Sequence, residues 1–199
     1  LERLLGMGVF YGAAAAEARA MAGEHVVVVG AGNSAGQAAL HLARFAARVT
    51  ILVRGESLAA SMSDYLVQEL AAATRVEIRL RTRVVDGRGE YRLETVVVED
   101  ARTGRREDLP AAAMFVLIGA EPRTEWLRET LQRDGAGYVS TGPDVSREGW
   151  PLERPPMLLE ASVPGVFAVG DVRHGSVKRV AAAAGEGSVA IGSVHAYLA

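Results

Sequence analysis

At 199 residues, 49% of them hydrophobic, the chain is long enough to bury one good core, or one complete domain plus part of another. Its formal net charge of −2 gives no reason to expect nucleic acid or an anionic membrane as partner, and its apolar stretches are broken by charge or glycine well short of a membrane span, so a soluble, cytoplasmic protein is expected. There is no cysteine, which excludes disulfides, thiolate metal sites and thiol redox relays within this chain.

Residues 1–23 are alanine-rich but carry Glu2, Arg3, Glu17 and Arg19, so they read as a linker and not as a signal peptide. The absence of an initiator methionine leads us to expect a piece of something longer. Lys178 is the only lysine, and arginine and alanine dominate, a bias expected of a GC-rich bacterial source. His25, Val26, Val27, Val28 and Val29 then form a buried strand that runs into Gly30-Ala31-Gly32-Asn33-Ser34-Ala35 and a helix. This layout cradles phosphate: Gly30 allows the sharp turn, Gly32 leaves room for a pyrophosphate, and Ala35 lets helix and strand pack closely. The helix adds unpaired N–H groups and the positive end of its dipole.

A helix of about four turns over residues 34–47 leads to a second strand at 48–53, completing a βαβ unit. An NAD site places an acidic residue about 20 residues past the glycines, whereas the extra phosphate of NADP favours a cation. The strand here ends at Arg54, with Glu56 two residues on, so NADP is expected over NAD. A helix over 62–73, with Ser61 or Ser63 as cap, is followed by a strand at 76–80. A meander of strands at 83–86, 93–99 and 105–109 follows, and a buried strand at 114–118 ends at Gly119. The order βαβαβ, meander, β predicts an α/β protein whose residues 1–118 make a Rossmann-like βαβ nucleotide-binding domain with a β-meander.

Beyond Gly119 the composition shifts to proline, glycine and arginine, with a short helix expected over 124–132 and loops through Pro155-Pro156. Residues 166–171 then read as another glycine-ended strand, closed by Gly170-Asp171, and a helix is expected over 178–198. An aspartate at the carboxyl end of a parallel strand is placed to bind a sugar hydroxyl; the bland alternative is a turn residue. His174 reads as a solvated loop residue within reach of the same place.

Together, Gly30 to Ala35 and the run Val166 to Arg173, in this order and at this distance, resemble the NADPH motif and the second flavin motif of the thioredoxin reductase-like branch of the pyridine nucleotide-disulfide oxidoreductases. Gly119-Ala120-Glu121-Pro122 resembles that family's crossover between domains. The resemblance covers essentially the whole chain. It implies that residues 119–199 are the C-terminal portion of a split FAD-binding domain, the second α/β domain of the fold. It further implies that Asp171, next to Gly170, binds the ribityl chain of FAD, and that the helix start around Lys178, Arg179 and Val180 turns N–H groups toward the flavin ring. Gly30, Gly32, Asn33, Ser34 and Ala35 would hold the NADPH pyrophosphate, with Arg54 near the 2′-phosphate and Gly119 at the crossover.

Three departures bear on function. The family's C-A-x-C dithiol is replaced by alanines in Tyr11-Gly12-Ala13-Ala14-Ala15, so electrons are expected to leave for an acceptor other than an in-chain disulfide, such as a redox protein, a quinone or dioxygen. The arginine cluster for NADP is reduced to Arg54, with Gly55 and Ala59 where further arginines are typical. The first FAD glycine motif is missing, so the flavin pocket needs an N-terminal half-domain that this chain lacks, and the isolated chain is expected to be inactive. No side chain stands out as acid, base or nucleophile. The family's homodimeric habit is the expectation for assembly. A nucleotide-sensing or docking module on the same fold is the alternative; a methyltransferase gives Gly170-Asp171 no role, and a short-chain dehydrogenase lacks its Tyr-x-x-x-Lys pair.

Overall fold

Val26, Val27 and Val28 are fully buried because the sheet they occupy is covered on both faces. Val26 and Val28 face one apolar cluster with Ala35, Ala39, Leu42, Leu66 and Phe115, while Val27 faces another with Leu4, Leu52, Leu93, Val96 and Met114. An unbroken run of valines is therefore the pattern such a strand needs. The computed structural model describes residues 1–12 and 15–199. It divides them into two compact units, Leu1–Gly119 and Ala120–Ala199. Ala13 and Ala14, in the stretch matched above to the dithiol, lie outside the described residues.

In chain order the first unit contains β1 (Val9–Tyr11), α1 (Ala15–Ala20), β2 (His25–Val29), α2 (Asn33–Leu42), β3 (Arg48–Leu52), α3 (Asp64–Ala72) and β4 (Val76–Arg79). β5 (Thr82–Arg88), β6 (Thr95–Asp100), β7 (Arg106–Pro110) and β8 (Ala113–Val116) complete it. β1, β8, β2, β3 and β4, in that order, form a five-stranded sheet whose paired strands are all parallel. The antiparallel sheet β5-β6-β7 is the expected meander. Leu93, Val96, Val98 and Leu109 from this segment pack with Val27 and Leu52. The α/β class with parallel sheet and meander is as read from the sequence.

Local differences have local causes. Val9–Tyr11, inside the stretch read as a linker, is a strand pairing with β8 from Val9↔Met114 to Tyr11↔Val116. α2 ends at Leu42, five residues short of Ala47, because Arg44 and Phe45 donate three residues back, to His41 and Leu42, and the Phe45 carbonyl is taken by the N–H of Gly23. Ser63 precedes α3 without capping it through its hydroxyl.

The second unit is poorer in regular structure. The helix expected over 124–132 is a single 3-10 turn, Glu125–Leu127, and α4 (Val180–Leu198) starts at Val180, not at Lys178. The strand expected over 166–171 is not formed: Phe167 makes one antiparallel bridge to Glu160, and Gly170–Val172 is a 3-10 turn. An extended segment becomes a strand only through a ladder of partners, and here the neighbouring chain meets it at one position. Leu131, Val139, Ala161 and Ala168 form the apolar cluster of this unit, and Val145 and Leu159 are buried as well. Beside them, Glu160 is fully buried and accepts two bonds from Arg154 (2.6 and 2.9 Å) and one each from the N–H groups of Met157 (2.8 Å) and Gly165 (2.9 Å). The Arg154 guanidinium, with these amides, holds the Glu160 carboxyl down to about 2.

Candidate functional site

The chain leaves β2 through Gly30, whose φ of +146° suits glycine. A Cβ there would collide with the Leu117 carbonyl oxygen and lie 3.2 Å from the Ala35 Cβ, so the fold itself demands glycine. Ala35 is fully buried, as expected for close packing of α2 on the sheet. Gly32 is different. It is the N-cap of α2 at φ −87°, ψ 176°, which any residue adopts, and the nearest atom to a Cβ would be the Ser61 carbonyl oxygen at 4.0 Å. Among the described residues nothing needs glycine at 32, and its missing side chain leaves the helix start open.

The first backbone donors of α2 to find acceptors are Ala35 and Gly36, both bonding the Gly32 carbonyl (3.0 and 3.2 Å). Among the described residues, none accepts from the amides of Asn33 and Ser34, which therefore stand ready for an anion at this helix start. The Asn33 side chain turns instead to Ser63, accepting from its N–H at 2.8 Å and donating to its hydroxyl at 3.0 Å. Ser61 donates to the Ala31 carbonyl at 2.9 Å. These serines thus strap the glycine turn to the loop before α3, and Asn33 keeps its backbone N–H and the second hydrogen of its Nδ2 uncommitted among the described residues. Gly36 also belongs to the turn: a Cβ there would come within 2.9 Å of the Met62 sulfur.

Gly30 donates to the Leu52 carbonyl at 3.1 Å, which sets the end of β3 beside the turn. Arg54 follows, exposed and without a side-chain partner among the described residues. Glu56 is exposed too, its carboxylate 3.9 Å from the Arg81 guanidinium. Arg81, between β4 and β5, has φ +52°, the one positive value outside glycine among the described residues.

In the second unit Gly170 is buried at φ +69°, with the Ala183 Cβ 3.1 Å from where its own Cβ would stand. Its N–H donates to Glu186 at 2.7 Å, and Arg173 donates to the same carboxylate at 2.5 and 3.2 Å, tying this turn to α4. Hydrogen bonding from Arg173 lowers the Glu186 carboxyl below its usual range. Asp171 is exposed, with no partner for its carboxylate among the described residues, on a 3-10 turn and not at the end of a parallel strand. Lys178 lies before α4, donating to the Arg173 carbonyl (3.0 Å) and Ser176 hydroxyl (2.7 Å), with its ammonium 4.1 Å from the centre of the Tyr138 ring. Arg179 is the N-cap of α4 and Val180 its first, exposed residue. His174, read as a solvated loop residue, shares a 2.7 Å hydrogen bond with Asp134. Gly119 closes the first unit at φ +89°, in open space.

The structure thus gathers Gly30, Gly32, Asn33, Ser34 and Ala35 into one turn beside the strand end that carries Arg54. Separately, it places Gly170, Asp171, Lys178, Arg179 and Val180 around the start of α4. Sequence reasoning missed Ser61 and Ser63 as straps and Glu186 as the anchor of Gly170. Among the described residues no helix is long and apolar enough to cross a membrane, and no group of three or more metal-ligating side chains is present.

Residues 8–187 match the pyridine nucleotide-disulphide oxidoreductase family. The chain is 32% identical over 176 residues to a 34.2 kDa protein in the rubredoxin operon of Clostridium pasteurianum, covering 88% of this chain and 52% of that protein. It is 33% identical over 169 residues to a thioredoxin reductase of Neurospora crassa, covering 84% and 46%. A thioredoxin reductase structure from Giardia duodenalis superposes with a TM-score of 0.71 at 26% identity, over 99% of this chain and 60% of that one. The chain spans about half the length of the curated relatives it matches.

Proposed function

We propose that this chain, which belongs to the thioredoxin reductase-like pyridine nucleotide-disulphide oxidoreductases, is the nicotinamide nucleotide domain plus the C-terminal portion of the FAD domain of a flavin-dependent NAD(P)H oxidoreductase. The observation that carries this reading is Gly32, where clearance at a helix start serves nothing among the described residues. The amides of Asn33 and Ser34 would hold the pyrophosphate, Gly30 and Ala35 set the turn that presents them, and Arg54 would meet the 2′-phosphate of NADP.

In the second unit, the exposed, unpartnered Asp171 fits a ribityl hydroxyl. The start of α4 at Arg179 and Val180, with Lys178 just before it, fits the pyrimidine side of a flavin, and Gly119 keeps the crossover role that the resemblance gives it. When bound, the two cofactors supply hydride transfer from nicotinamide to flavin; the residues here bind, orient and screen them. The reading of 119–199 as a half-domain draws support from α4, a 19-residue helix with no buried residue, whose Val180, Ile191 and Leu198 are more than half exposed. Absence of cysteine directs electrons to an acceptor other than an in-chain disulfide, and a relative encoded in a rubredoxin operon supports a redox protein in that role. A homodimer in a bacterial cytoplasm is the setting we assign.

A longer protein containing this chain and an upstream flavin half-domain is expected to purify yellow and to bleach on anaerobic addition of NADPH. A colourless protein that takes up no FAD would contradict the assignment of the second unit, and a yellow one that NADPH leaves unbleached would mark a sensing module.

A further inference from the structure

Arg81 occupies a backbone conformation that glycine or asparagine takes with less strain, held there from both sides. Its N–H donates to the Gly55 carbonyl at 2.9 Å, and its carbonyl accepts from Ala101 at 2.7 Å. The next residue, Thr82, donates to the Val53 carbonyl at 2.9 Å, so this segment runs directly beside the loop that carries Arg54 and Glu56. The side chain delivered there ends 3.9 Å from the Glu56 carboxylate, with Arg81 49% and Glu56 84% exposed. So loose and wet an ion pair contributes little to stability and does not account for an arginine at a strained position.

Its placement does. Glu56 is the only acidic residue between Arg54 and Asp64, on the loop where an acid would bind the ribose hydroxyls of NAD. We propose that Arg81 is a specificity-determining residue of the nucleotide site, withholding Glu56 from the ribose in the free protein and exchanging that carboxylate for the 2′-phosphate when NADP arrives. The inference rests on the nucleotide-binding reading given above. NADPH replaces one partner of the guanidinium by a dianion that accepts two hydrogen bonds; NADH offers no such replacement and meets a carboxylate whose nearest cation is Arg81. Arg54 and Arg81 together then supply the positive charge that a single exposed arginine gives weakly.

The test is titration of NADPH and NADH, followed by nucleotide fluorescence, into the 199-residue chain and its Arg81→Asn, Arg81→Lys, Glu56→Gln and Arg54→Ala variants. Arg81→Asn is expected to weaken NADPH about tenfold or more and to tighten NADH, with no loss of thermal stability because asparagine accepts the left-handed conformation. Arg81→Lys retains part of the NADPH preference, and adding Glu56→Gln to Arg81→Asn cancels the gain for NADH. An unchanged NADPH-to-NADH ratio in Arg81→Asn, while Arg54→Ala collapses it, overturns the role of Arg81 and leaves the nucleotide site standing. If the wild-type chain binds neither nucleotide, the nucleotide reading falls and this inference falls with it.

Discussion

Gly32→Ala leaves the chain as stable as wild type and removes most of its dinucleotide affinity, whereas Gly30→Ala, two residues away, destabilises the fold itself. At Gly30 an added methyl meets the Leu117 carbonyl at a φ of +146°, so backbone strain and overpacking act together and cost about 2–4 kcal/mol. At Gly32 the methyl meets nothing among the described residues closer than 4.0 Å and φ is ordinary, so the change in stability stays within about 0.5 kcal/mol. The methyl does enter the space a pyrophosphate needs over the amides of Asn33 and Ser34, and loss of those charge-assisted bonds weakens binding at least about tenfold. Thermal unfolding and NADPH titration of both variants check the pair. Equal binding by Gly32→Ala and wild type would remove the phosphate from this turn.

The second large effect is on stability and lies far from the glycines in sequence. Glu160→Ala leaves two backbone amides and the partly exposed Arg154 guanidinium without the buried carboxylate that joins them, a loss of about 1–3 kcal/mol. The same carboxyl makes the fold acid-sensitive with a definite sign. Its folded-state value of about 2 lies below the ordinary 4.5, so its contribution is full above pH 4.5 and drains away as pH falls toward 2. Urea denaturation of wild type and Glu160→Gln at neutral pH and at about pH 3 reads this directly. Wild type loses more stability on acidification than the glutamine variant, which starts lower and has no carboxyl to protonate. Parallel losses in the two would show that other carboxylates carry the acid sensitivity.

The glycine turn was legible because its chemistry is local. An apolar run long enough for a doubly covered strand, then glycine, then a helix, leaves few alternatives, and β2, α2 and β3 form accordingly. β1 escaped notice because three residues carry no periodicity and its status as a strand comes from β8, about a hundred residues away. Residues 166–171 misled in the opposite sense: they look like a strand in isolation, yet only Phe167 finds a bridging partner. Pairings between separated segments were equally invisible, among them Asn33 with Ser63 and Gly170 with Glu186, and so was the local pair of Arg154 with Glu160, inside a proline-rich stretch that composition alone presents as a solvated loop. The left-handed backbone at Arg81 has no signature in the sequence either, since arginine is an improbable residue for it. Chemistry written in adjacent residues was readable; chemistry assembled by tertiary contact was not.

Amide chemical-shift mapping of the isotopically labelled chain during NADPH addition tests the central claim most directly. Saturable shifts centred on Gly30, Gly32, Asn33 and Ser34, extending to Arg54 and absent on addition of inorganic phosphate at equal concentration, are the predicted result. Saturable binding that leaves those amides unmoved, or no saturation at all, would contradict the assignment of this turn to a nicotinamide dinucleotide.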